Sequence, residues 1–209
     1  MLLPDPPMEL GQTYKGKDAD GNLINGHLLG LVYTFPNSPV NGLPRAGKSR
    51  NTGKPITAVL LRNETGLTIY GKRFAMLSNA GGYNGVEAVS GYNATLGNFG
   101  IVLIDPFLPS GGCADDELFW GVISGAVLIK SPFAAGHVGG SIALGSLLVA
   151  ATAATTGTSE SGRVTTVAIA NATDATNADV RSRAVGRALS AATTAQTDTD
   201  VLVDLAIRL

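Results

Sequence analysis

The chain has 209 residues, of which only 15% are charged, and its formal net charge is −1. This balance gives no general electrostatic attraction to nucleic acid or to an anionic membrane, and neither is expected as a partner. The single cysteine, Cys113, excludes an intramolecular disulfide, and no apolar run reaches the ~18 residues of a membrane span. The start, MLLPDPPMEL, lacks the basic and apolar regions of a signal peptide.

Residues 1–27 are polar and rich in proline and glycine, which predicts an extended N-terminal arm. Residues 28–209 are predicted to form one β-rich domain. Its predicted strands are short, rich in β-branched and aromatic residues, and separated by turn-forming clusters. They are residues 27–35, 56–62, 67–77, 86–89, 99–105, 141–150, 163–170, 184–189 and 201–209. The second and third are expected to form a hairpin, and residues 174–183 could form one short helix.

The densest apolar run is DDELFWGVISGAVLIK, residues 115–130, which contains the only tryptophan of the chain, Trp120. Its β-branched and aromatic residues and its internal glycines favour one long strand over a helix. The strand is expected to be bent or bulged at Gly125, and both of its faces are expected to be covered. With the other short strands, this indicates an all-β fold, a β-sandwich or a β-barrel-like domain.

Residues 36–55 form a long connection that carries four basic residues and no acidic one. A connection of this length in a compact domain usually has a function. We therefore expect its cations to contact a partner; they are Arg45, Lys48, Arg50 and Lys54.

The same connection contains GLPRAGKS, residues 42–49, which matches the phosphate-binding pattern G-x-x-x-x-G-K-[ST] in full. That motif needs a strand directly before it and a helix directly after it, and RNTGKP follows here instead. A nucleotide-binding enzyme that uses residues 42–49 is therefore kept only as an alternative function, from a different functional class.

No other pattern predicts catalysis, a cofactor or a metal. His27 and His137 have no partner close in sequence, and Cys113 alone cannot complete a zinc site. Asp18, Asp20 and Asn22 resemble part of a calcium loop, but the glycine is misplaced and no closing glutamate follows. The chain is therefore expected not to be an enzyme. A carbohydrate-binding module would need an exposed aromatic platform, for which only tyrosines in a glycine-rich loop are available.

The order of features from residue 56 onward resembles tailed-bacteriophage head proteins of the decoration, or cement, type. The resemblance rests on AVLLRNETGLTIYGKRFAML, on DPFLPSGGCADDELFWGVISGAVLIK, and on the ending AVGRALSAATTAQTDTDVLVDL. It implies a β-rich, often trimeric protein, made in the host cytoplasm, that binds the major capsid protein on the outer surface of the virion. The long N-terminal arm leaves a minor capsid or spike-base component as an alternative. The resemblance implies no catalytic residues.

Overall fold

The computed structural model describes residues 6–36, 55–77, 88–91, 100–130, 141–150, 164–166, 184–192 and 200–207. These residues form one hydrogen-bonded sheet of eleven strands. The strands are β1 (Tyr14–Lys15), β2 (Val32–Phe35), β3 (Ile56–Asn63), β4 (Phe74–Leu77), β5 (Ala88–Gly91), β6 (Ile101–Ile104), β7 (Glu117–Lys130), β8 (Leu147–Ala150), β9 (Val164–Thr166), β10 (Ala184–Ala188) and β11 (Asp200–Ala206). The only helix in the described part is a 3-10 turn, Gly26–Leu28.

Strand β7 organises the sheet, because different strands pair with successive parts of it. Ser124 is paired with Thr57 of β3 and also with Ala206 of β11, so these two strands lie on opposite edges of β7. The edge opposite β3 carries β1, β6 and β11 in succession. This one strand therefore joins the N-terminal segment, the middle of the chain and its C-terminal strands.

Five of the strands pair in a circuit. From β3 the hydrogen-bonded neighbours are β5, β4, β6 and β7, and β7 pairs with β3 again. All of these pairs are antiparallel except β3 with β5. The sheet as a whole remains open, because a second arm runs from β7 through β11, β10 and β8 to β9.

Both faces of the central strands are buried, as the apolar sequence of β7 predicts. Along β3, Ala58 and Leu60 belong to one hydrophobic core, whereas Val59 and Leu61 belong to the other. This separation follows from the two-residue period of a strand. The larger core continues along the second arm of the sheet, where Leu148, Val185 and the inward residues of β11 extend it.

A bulge in β7 keeps its two halves facing the same core. Trp120 and Val122 lie in the larger core, and so do Val127 and Ile129. Val122 and Val127 are separated by an odd number of positions, so an unbroken strand would place them on opposite faces. The register against β3 shifts between Val122 and Ser124, and Gly125, the residue that follows, has a φ of 123°. The strand is therefore irregular as predicted, with the bulge just before Gly125, and the irregularity resets the alternation of faces.

The all-β prediction is confirmed, and most predicted strands are present with shorter bounds. The predicted hairpin of residues 56–77 is wrong, because β4 pairs with β5 and β6 and not with β3. Asn63 closes a tight turn onto Leu67, after which Ile69 pairs with Cys113 instead. The helix predicted at residues 174–183 lies outside the described residues.

The N-terminal segment, residues 6–24, lies against the sheet. Met8 and Leu10 are buried in the larger core, and β1 forms a short antiparallel pairing with β7. Gly16 then donates a backbone hydrogen bond of 3.0 Å to the carbonyl of Asp116. Within a single chain, this part of the predicted arm therefore needs no partner to hold it.

Candidate functional site

A buried carboxyl group joins the N-terminal segment to the end of β6. Asp105 follows β6 directly and is fully buried. Its Oδ2 accepts a 2.6 Å hydrogen bond from the backbone N–H of Gly11, and its Oδ1 accepts a 2.9 Å bond from the N–H of Phe107. Gly11 has a φ of 86°, and a β-carbon there would lie 2.9 Å from the carbonyl oxygen of Phe107. The positive φ and the close approach to Phe107 thus require glycine at this position.

A second hydrogen bond holds the same segment at Met8, which precedes Gly11 in the chain. The indole Nε1–H of Trp120 donates a 2.9 Å bond to the carbonyl of Met8, and both groups are buried. The indole also packs edge-on against Phe35 of β2, with ring centroids 5.2 Å apart. Trp120 therefore connects three elements: the N-terminal segment, β2 and β7.

Burial raises the pKa of Asp105 to about 7, because desolvation disfavours the charged form more than its two backbone N–H donors favour it. No described lysine or arginine forms an ion pair with it. A carboxyl with such a pKa could transfer protons near neutral pH. However, its two oxygens already bind backbone groups of the fold, and no described nucleophile or histidine pairs with it.

The other reactive groups of the described chain do not form a catalytic set. Cys113 is fully buried, and burial together with the charges of Glu117, Asp105 and Asp115 raises the pKa of its thiol well above the ordinary value. A neutral buried thiol is a poor nucleophile. His27 lies in the exposed 3-10 turn, and His137 lies outside the described residues.

The acidic loop of residues 18–22 is closed by its own hydrogen bonds. Asp18 Oδ1 accepts bonds from the backbone N–H groups of Asp20 and Asn22, at 3.0 and 2.8 Å. Hydrogen bonds from Asn22 and Asp20 lower the pKa of Asp18. The described residues contain no cluster of three or more His, Cys, Asp or Glu side chains that could hold a metal ion.

The four basic residues predicted to contact a partner lie outside the described residues, but the ends of their connection are well defined. Phe35, the last residue of β2, is paired with Ile56, the first residue of β3. The connection thus begins and ends on neighbouring residues of an antiparallel pair. The described elements before and after residues 42–49 are thus two strands of one antiparallel pair, β2 and β3.

Strand β2 forms an outer edge of the described sheet, and its only described neighbour is β3. Leu31 accepts a backbone hydrogen bond from Leu60, so the alternation of an antiparallel pair points the backbone groups of Val32 and Thr34 away from β3. The side chains of Leu31, Val32 and Thr34 are exposed. This edge, which we call the β2 edge, adjoins the basic connection at Phe35.

Other exposed large apolar side chains are distributed over the described surface. They are Tyr14, Leu23, Leu67, Tyr70, Leu144 and Leu189. No helix in the described ranges has the length and apolar character needed to cross a bilayer.

Sequence reasoning missed the contact between Asp105 and the N-terminal segment. The sequence places Asp105 at the end of an apolar strand, but its partner Gly11 is 94 positions away. The one local signal is the pair Met8 and Leu10, two alternating apolar residues between Pro7 and Gly11. Such a pair is typical of a short stretch that covers a core.

Comparisons of the chain with protein-family models, with characterised proteins and with solved structures found no match.

Proposed function

We propose that the chain is a structural protein of a bacteriophage virion, a cement or decoration protein that binds the major capsid protein on the outer surface of the shell. The resemblance of residues 56–209 to such proteins suggests this role. The observation that carries it in the structure is the β2 edge, which exposes apolar side chains and outward-pointing backbone groups beside a connection with four cations. A shell surface with acidic side chains would complement that connection.

The described reactive groups are consistent with a structural role. Asp105, Cys113 and Asn63 are all fully buried and bonded within the fold. A homotrimer remains part of the proposal because it is implied by the resemblance. The uneven charge of the chain is compatible with contacts between copies: residues 1–80 have nine basic and five acidic residues, and residues 81–130 have one and five.

Cryo-electron microscopy of the particle that carries this chain tests the proposal directly. We expect repeated copies on the outside of the shell, at three-fold or quasi-three-fold positions, with the β2 edge and the basic connection against the capsid protein. Particles without the chain on their surface, or nucleotide density beside Lys48, would contradict the proposal.

A binding assay with matched variants tests the contact residues. Replacing Arg45 and Lys48 with glutamine should weaken binding to the shell and reduce its dependence on salt. The control replaces the exposed cations Lys15 and Arg187, which lie on other strands, and should bind normally. Equal losses for both variants would indicate a general charge effect and no specific role for the connection.

A further inference from the structure

We propose that the β2 edge binds by strand addition: an extended segment of the shell protein pairs with Val32 and Thr34 as a further strand of the sheet. Strand addition rests on the proposed function and deepens it, because it specifies the kind of segment that is bound and the atoms that bind it. The segment alternates apolar and polar residues and carries acidic residues at the end that meets Phe35.

The backbone of β2 has hydrogen-bonding groups that face away from the rest of the sheet. The carbonyl of Leu31 accepts a 2.9 Å hydrogen bond from the N–H of Leu60 in β3. The alternation of an antiparallel pair then directs the N–H and C=O groups of Val32 and Thr34 away from β3. No described strand lies on that side of β2. An incoming strand can therefore exchange backbone hydrogen bonds with both residues.

The β2 edge lacks the features by which exposed edges commonly avoid pairing, namely charged side chains, prolines and bulges. Residues 31–35, LVYTF, contain no charged residue and no proline, and β2 pairs with β3 in an unbroken register. Leu31 and Val32 have 40% and 52% of their surface exposed. An apolar edge of this kind favours pairing with a further strand.

The two faces of β2 determine which side chains fit in the added strand. Tyr33 and Phe35 pack on the larger core, with their ring centroids 4.9 Å apart, whereas Val32 and Thr34 are exposed on the other face. Directly opposite residues of an antiparallel pair share a face. An apolar residue opposite Tyr33 therefore extends the larger core, and residues opposite Val32 and Thr34 stay accessible to water. The bound segment is thus one in which apolar and polar residues alternate.

Charge distinguishes the shell protein from a second copy of the chain as the source of the strand. Residues 36–55, which follow β2 directly, contain four basic residues and no acidic one. A second copy would bring the same cations to the interface, where like charges oppose association. A segment with acidic residues beside the end of β2 is attracted instead. The added strand therefore belongs to an acidic region of the shell protein.

A proline at position 32 tests strand addition, because it removes an N–H that points away from β3 and puts its ring where the added strand would lie. Isolated shells that lack this chain are titrated with the unmodified protein, with Val32→Pro and with Val32→Thr, which keeps the N–H. We expect Val32→Pro to bind the shells at least about tenfold more weakly than Val32→Thr.

The possible outcomes separate strand addition from the proposed function. Equal shell binding by the two variants would overturn strand addition but leave the proposed function in place. Self-association that Val32→Pro abolishes without any change in shell binding, measured by sedimentation velocity, would assign the edge to a second copy and also overturn strand addition. Failure of the unmodified protein to bind shells would contradict the proposed function, and strand addition with it.

Hydrogen exchange of the unmodified protein keeps the proposal falsifiable if Val32→Pro fails to fold. The amides of Val32 and Thr34 should exchange at least about tenfold more slowly on the shell than in the free protein, because they gain hydrogen bonds there. The amide of Tyr33, which faces β3, should change little. Unchanged exchange at Val32 and Thr34 in the shell-bound protein would overturn strand addition.

Discussion

Asn63 is a fully buried amide that joins two loops. Its Nδ2 donates to the carbonyls of Leu67, Cys113 and Ala114 at 2.7, 3.1 and 3.0 Å, and its Oδ1 accepts bonds from Thr65. This side chain makes the turn that directs the chain away from β3, and it therefore prevents the simple hairpin that the sequence pattern indicates.

We predict that Asn63→Ala lowers the free energy of unfolding by about 2–4 kcal/mol, because it removes all the hydrogen bonds by which this buried side chain joins the two loops. Chemical denaturation measures the change. Asn22→Ala, which removes an exposed amide bonded to Asp18, is the control and should cost less than about 1 kcal/mol. A similar loss of unfolding free energy in both variants would show that the effect does not depend on the burial of Asn63.

At the scale of single elements, β7 requires a glycine at position 125, directly after its bulge. Its φ of 123° disfavours other residues, and a β-carbon would lie 2.7 Å from the carbonyl oxygen of Pro55. We predict that Gly125→Ala destabilises the protein by about 2 kcal/mol or more, from backbone strain together with the clash.

Thermal unfolding of Gly125→Ala beside Gly111→Ala tests this prediction. Gly111 is exposed, and a β-carbon added to it would meet no atom within 4 Å, so its substitution should be nearly neutral. An unchanged melting temperature for Gly125→Ala would mean that β7 crosses this point without the bulge.

The N-terminal segment is a second element whose role can be measured. Deleting residues 1–12 removes Met8 and Leu10 from the larger core, and burial of each side chain is worth roughly 1.5–3 kcal/mol. We predict a loss of about 3–6 kcal/mol in unfolding free energy by denaturant titration. Deleting residues 1–5 leaves every described contact in place and should change the stability little.

An extended arm, as the sequence predicts for residues 1–27, would by contrast be removable with little effect on the stability of the fold. If the chain without residues 1–12 is as stable as the full chain, that view of the arm is correct and the contacts of Met8 and Leu10 contribute nothing.

At the scale of the whole molecule, β11 is the only described link between β7 and the group formed by β10, β8 and β9. Val201, Val203 and Leu205 of β11 fill the core between them. We predict that a chain ending at residue 199 loses the hydrogen-exchange protection of β8 and β10 but keeps that of β3 and β6. Loss of protection in all strands at once would instead show that the sheet unfolds as a single cooperative unit.

The sequence predicts the strands well where a strand is buried on both faces. The run from Leu118 to Ile129 identifies β7 because apolar, β-branched residues dominate it, and the glycine inside it marks the bulge. Pairing is harder to predict, because it depends on contacts between distant residues. Nothing near Tyr14 in sequence indicates its partner Leu118, and nothing near Gly11 indicates Asp105.

The candidate functional site shows the same difference between local patterns and contacts of distant residues. The basic residues of the connection are visible in the sequence because charge is local information. The raised pKa of Asp105 is not, because it arises from burial under a segment that is distant in sequence. A single sequence records the carboxyl but not what covers it.

The paired residues Phe35 and Ile56 hold the two ends of the basic connection side by side in the sheet. The entropy of closing a loop rises only with the logarithm of its length, so doubling the length costs about 0.6 kcal/mol. A foreign peptide inserted within residues 37–54 should therefore leave the strand register unchanged. The β2–β3 junction makes this chain a natural scaffold for peptide display.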